Sequence, residues 1–301
     1  MSAAAVLAGY AVVVGALAPS LLCRAKWAHR APALAVLAWQ GLMASFLVAT
    51  VLAVYHLLLA EEHTHDGLAG LISACGLIVG DPGAVASDSG AVLALAVPGA
   101  VLMLPPGWLV HCAWQARRAR RRHLDLLTLV GEPAPAYDAT VVDHAAPAVY
   151  CLPGRRCRVV ITQGALDVLS EDQLRAVVEH ERAHIDGRHH LLHLLAEAFS
   201  RSFPGLPLAR HAREQTTLLV EMIADDRALR SHPREALASA MYEVAAGRIP
   251  PAALGAGGGG ALIRLRRVLT PQPRPHRATW LSVAAATVAA PLLPVLVACG
   301  H

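Results

Sequence analysis

The stretch Ser170-Glu171-Asp172-Gln173-Leu174-Arg175-Ala176-Val177-Val178-Glu179-His180-Glu181-Arg182-Ala183-His184 specifies both a helix and a chemistry. Ser170 to Gln173 reads as a capping box, in which the hydroxyl and the Gln side chain satisfy free backbone N–H groups at a helix start. Leu174, Val177 and Val178 follow at helical spacing. His180 and His184 then stand one turn apart on one face, so both imidazoles reach the same metal ion. Neutral imidazole is a good zinc ligand, and Glu181 projects beside the pair, placed to take a proton from a water that zinc acidifies.

A catalytic zinc of this kind takes three protein ligands and keeps one position open. The chain offers two candidates for the third. Glu221-Met222-Ile223-Ala224-Asp225 sets a Glu and an Asp one helical turn apart. Glu221 is then the ligand and Asp225 the acceptor that holds the N–H of a ligating His. The gap from 184 to 221 suits a helix, a loop and an antiparallel return helix. Alternatively, residues 180–190 fit His-Glu-x-x-His-x-x-Gly-x-x-His, in which Gly187 ends the helix and His190 turns back to the metal. Leu191, Leu192, Leu194 and Leu195 continue an apolar pattern compatible with an unbroken helix, and an interior Gly costs only about 1 kcal/mol. On an unbroken helix His190 points away, so Glu221 is the expected ligand. His189, His190, His193 and His211 read as surface or packing histidines, and Asp226 as a solvent-exposed neighbour of Asp225.

Around these motifs, Val-rich runs at about 139–143, 148–152 and 158–162 read as short strands. Pro153-Gly154 forms a turn between the last two. Pro204, Gly205 and Pro207 mark a break before a second helical pattern at about 209–229, and the Gly-rich run 255–260 reads as a flexible linker.

Outside this segment the chain is strongly apolar. Of its 301 residues 55% are hydrophobic and 16% charged, which excludes a disordered chain and argues against a wholly soluble one. Four stretches suffice to cross a bilayer: about 3–22, 33–60, 91–114 and 280–299. Prolines in the third and fourth predict kinks. Residues 68–80 are too short to span and read as a segment that lies at the interface or folds back. Arg24, Lys26 and Arg30 separate the first two spans, residues 61–90 contain no Lys or Arg, Arg117 to Arg122 follow the third span, and five Arg between 264 and 277 precede the fourth. Every basic cluster falls on one side if the N-terminus is outside, which makes residues 117–278 cytoplasmic. The charges follow the first apolar run, so it reads as a span and not a signal peptide. The basic hexad lacks interleaved aromatics and reads as an anchor on anionic lipid, with no nucleic-acid contact expected. Six Cys without a C-x-x-C pair indicate neither a disulfide scaffold nor a zinc ribbon.

Three spans, a cytoplasmic His-Glu-x-x-His segment and a fourth span resemble the bacterial β-lactam sensor-transducer and antirepressor metallopeptidases. The stretch from Val159 through Ser170-Glu171-Asp172-Gln173 to His184 is also similar to the peptidase core of HtpX-type membrane proteases. The resemblance implies an α-helical membrane protein of four spans with an inserted cytoplasmic α+β domain of the gluzincin type. Residues 1–116 would hold three spans, 117–278 the peptidase, and 279–301 the fourth span and a short external tail. It further implies one Zn2+ per chain on His180, His184 and Glu221, with Glu181 as general base. A location in the cell membrane follows, with the lipid bilayer and a protein or peptide substrate as partners. In the sensors that substrate is a DNA-binding repressor or the peptidase itself. No external penicillin-binding domain is expected, since only Gly300 and His301 follow the last span in this sequence, and β-lactam sensing is not implied. Two other readings are a signalling module with little proteolysis, against which the intact Glu181 argues, and a housekeeping protease for misfolded membrane proteins.

The Arg distribution generates a test independent of the chemistry. A reporter fused after Arg122 is expected to behave as cytoplasmic and one in the 61–90 loop as external; the reverse at either site contradicts a cytoplasmic peptidase.

Overall fold

The computed structural model describes residues 2–58, 89–152, 158–248, 259–270, 273 and 276–299. Helix α1 (Ala3–Val12) passes through a π-helical turn (Val13–Leu17) into α2 (Ala18–Cys23), followed by α3 (Pro32–Leu58) and α4 (Ser89–Val130). Four short strands come next, β1 (Gly131–Ala134), β2 (Ala139–Val142), β3 (Val149–Leu152) and β4 (Arg158–Thr162). The remainder is helical: α5 (Gln163–Val168), α6 (Glu171–Asp186), α7 (His189–Ser202), α8 (Pro207–Ala228), α9 (Arg234–Arg248), α10 (Gly259–Leu269) and α11 (Arg277–Cys299).

The chain divides into two compact units. One is drawn from residues 1–111, 195–215 and 275–301. The described residues contain four helices long and apolar enough to cross a membrane: Ala3–Cys23, Pro32–Leu58, Leu95–Val130 and Arg277–Cys299. Prolines 291 and 294 lie inside α11. Pro294 has no N–H for the carbonyl of Ala290, four residues before it. The hydroxyls of Tyr10 and Ser45 each donate to that oxygen at 2.8 Å, which re-satisfies it within the apolar helices. Gly41 of α3 lets two backbones close up, since a Cβ there would lie 2.9 Å from the carbonyl oxygen of Thr287 on α11.

The other unit is drawn from residues 112–194 and 216–274 and holds the sheet, in the order β1-β2-β4-β3. Strands β2 and β4 are parallel, and the two outer pairs are antiparallel. One face packs on helix: Val149, Val159 and Ile161 meet Leu169, Leu174 and Val178 of the α5–α6 region and Ala240 of α9. Helix α6 begins on the expected capping box, with Ser170 accepting from the Gln173 N–H and the Gln173 side chain accepting from the Ser170 N–H.

Strands β2 to β4 lie within a residue of the Val-rich runs. Strand β1 was not expected, because Gly131 and Pro133 disguise it; its partner β2 supplies the order. Helix α8 opens at Pro207, whose missing N–H is harmless in a first turn. The Pro153-Gly154 turn, residues 68–80 and most of the Gly-rich run lie outside the described residues; Gly259 and Gly260 open α10.

One expectation is corrected. The helix bearing His180 and His184 is broken: α6 ends at Asp186, and Arg188 takes a left-handed φ of 48° before α7 begins at His189. Leu191, Leu192, Leu194 and Leu195 belong to a second amphipathic helix, α7.

Candidate metal centre

Helices α6 and α8 each contribute a pair of residues spaced by one turn. From α6 come His180 and His184, with Glu181 beside them; from α8 come Glu221 and Asp225. Leu219, Val220, Met222 and Ala224 of α8 are fully buried, which fixes the rotation of that helix and so the direction of its carboxylates.

The atoms converge. Nε2 of His180 lies 3.2 Å from Nε2 of His184. Nε2 of His184 is 3.2 Å from Oε1 of Glu221, and Nε2 of His180 is 3.5 Å from its Oε2. His180, His184 and Glu221 form a group able to hold one metal ion. A tetrahedral zinc with bonds near 2.05 Å has ligand-to-ligand edges of about 3.3 Å, so the spacing and the donor types fit that ion. His190 is not in the group. Its Nδ1 is buried and makes no hydrogen bond among the described residues, and burial together with Arg120 and Arg188 lowers its pKa. The helix break thus exists, but it does not bring His190 to the site. His211 stands beside Glu214, and His232 beside Ser231.

Asp225, 1% exposed in its side chain, sets Oδ1 3.1 Å from Nδ1 of His180, close enough to orient the ring although the N–H is not aligned on the oxygen. Burial opposes a charged His180, but the adjoining Asp225 and Glu221 carboxylates outweigh it and raise its pKa to about 9. Burial also pushes Glu221 and Asp225 upward, yet Glu221 is held well below the usual carboxylate range by the two imidazoles and Arg264, and Asp225 is lowered by Arg264 and His180. Glu181 goes the other way. Burial lifts its carboxyl, against the pull of His180, His184 and the Cys151 N–H, which donates to Oε2 at 3.0 Å. Cys151 lies on β3, at the edge of the sheet.

Residues 113–237 match the family model for peptidase family M48. That stretch contains His180, Glu181, His184, Glu221 and Asp225, and the match supports a peptidase. With four apolar helices it points to a membrane-associated one. No curated protein and no solved structure matches the chain.

Two residues at the centre were missed from the sequence. Arg264 of α10 donates to Asp225 through Nε (2.9 Å) and Nη2 (2.8 Å), and its Nη1 lies 2.6 Å from Oε2 of Glu221. In the sequence it looks like one more positive charge before a span, and nothing local marks it. His189, taken above for a surface or packing residue, is buried with Nδ1 2.9 Å from Nδ1 of His184. Burial, with the nearby His184, lowers its pKa to about 4. Asp226 is also not merely solvent-exposed, since both its oxygens pair with Arg267 at 2.7 Å.

The two Arg–Asp pairs differ in burial, and that separates their costs. Arg264→Met leaves Asp225 as an almost fully buried charge, a change that costs about 3–5 kcal/mol. Arg267→Met leaves Asp226, whose side chain is 41% exposed and so open to water, and although Arg267 itself is buried the charge left behind costs less. Thermal unfolding of the metal-free chain in detergent is expected to rank the variants in that order, with the larger drop for Arg264→Met.

Proposed function

We propose that the chain is a membrane-embedded zinc metalloendopeptidase that hydrolyses protein or peptide substrates on the cytoplasmic side of the cell membrane. The observation that carries this is the three-atom cluster of His180, His184 and Glu221 at tetrahedral spacing, with a raised-pKa carboxylate, Glu181, on the next residue. His180, His184 and Glu221 would hold the zinc. When bound, zinc supplies Lewis-acid polarisation of the scissile carbonyl and of the attacking water.

The chain's own residues account for the proton and for orientation. Glu181 accepts the proton of the water and passes it to the departing amine. Its position suits both halves of that task, since its carboxylate stands beside the two imidazoles with Oε2 held by the Cys151 N–H. Arg264 on Oε2 of Glu221 turns the other oxygen, Oε1, toward His184. Edge strand β3 is the element on which an extended substrate would pair, with the Cys151 N–H beside the base. Backbone pairing leaves cleavage tolerant of sequence.

Glu181→Gln keeps side-chain volume and all three ligands, so the purified variant is expected to retain zinc near wild-type stoichiometry and to lose peptide cleavage. Glu221→Ala is expected to lose most of both, while His190→Ala keeps both. Full cleavage by Glu181→Gln, or an empty site in His190→Ala beside a filled one in Glu221→Ala, contradicts the assignment.

A further inference from the structure

The break after α6 places a second imidazole behind one of the candidate ligands. Gly187 ends α6 with an ordinary φ of −74°, so the glycine is not required by its backbone conformation. It is required by space: a Cβ there would overlap Nε2 and Cδ2 of the His189 ring. Arg188 then takes φ 48° and turns the chain, and His189 opens α7 facing back toward α6. The rings of His184 and His189 meet edge to face, with centroids 4.8 Å apart and planes at 89°. Their Nδ1 atoms are 2.9 Å apart, and His189 is 3% exposed.

Two ring nitrogens at that distance share one proton, one nitrogen donating and the other accepting. Nε2 of His184 is the atom that faces His180 and Glu221. A neutral imidazole that offers Nε2 to a metal carries its proton on Nδ1. His184 is therefore the donor of the pair, and Nδ1 of His189 accepts, with the proton of His189 on its own Nε2.

We propose that His189 is a positioning residue of the metal centre, whose Nδ1 accepts the Nδ1–H of His184 and so fixes the tautomer and the ring angle that aim Nε2 of His184 at the ion. The inference rests on the zinc reading above. It gives the two imidazoles matching supports. Each has its outer nitrogen against a buried partner, Asp225 for His180 and His189 for His184. The supports differ in charge, and the neutral one adds no third carboxylate to a site that already holds Glu221 and Asp225.

The test uses the full chain in detergent and measures zinc affinity by competition with a chromophoric chelator, beside thermal unfolding without metal. His189→Leu fills the space without an acceptor. His189→Asn sets an amide oxygen near the position of Nδ1. Loss of such an outer partner weakens a metal site by about 10- to 100-fold, which is the expectation for His189→Leu, with most of the loss recovered in His189→Asn. Gly187→Ala, which pushes the ring away, is expected to weaken zinc similarly, and it decides the matter if His189→Leu does not fold. Zinc binding by His189→Leu equal to wild type overturns the proposal, as does an equal loss in Leu and Asn variants, which would mean that the ring only packs. Wild-type zinc binding unaffected by His184→Ala overturns the zinc reading itself, through a variant that leaves His189 untouched.

Discussion

Glu221 and Asp225 sit one turn apart on α8, and both point at imidazoles of α6. Two carboxylates that close, one with a side chain only 1% exposed, repel each other and lose hydration on burial. Arg264 removes both difficulties with a single planar group, binding Asp225 through two nitrogens and Glu221 through the third. The remaining geometry follows from that pairing. Asp225 is kept ionised against His180, Glu221 is left with one oxygen for His184, and α10 is tied to α8 again one turn later, where Arg267 pairs with Asp226.

The part of this that was legible in the sequence is the part written in local spacing. His180 and His184, and Glu221 and Asp225, are i,i+4 pairs, and a helix places such pairs without help from the rest of the fold. The capping box at Ser170 fixed where that helix begins, and the apolar runs marked the four long helices. What stayed hidden depends on contacts across long separations. Arg264 is 39 residues from Asp225 in the chain, and its own surroundings look like a basic run ahead of an apolar helix. Strand β1, a four-residue element containing Gly131 and Pro133, has no strand pattern of its own and is defined by its pairing with β2.

The helix break at Gly187 overturns the unbroken helix on which the sequence-based choice between Glu221 and His190 rested. By spacing alone Leu191, Leu192, Leu194 and Leu195 fit one continuous helix, on which His190 would point away. They instead form the apolar stripe of α7, and periodicity alone does not register a two-residue interruption when apolar residues resume after it. The break carries His189, and not His190, back to α6, where it meets a ring nitrogen of His184 rather than joining the cluster.

The central claim is a site made of two imidazoles and one carboxylate. X-ray absorption at the zinc edge of the purified full chain, loaded with one zinc, tests it most directly. Two imidazole shells with nitrogen at about 2.0–2.1 Å and a carboxylate oxygen at about 2.0–2.2 Å are the predicted result. A third imidazole in place of the carboxylate, or sulfur at about 2.3 Å from a thiolate such as Cys151, would contradict it.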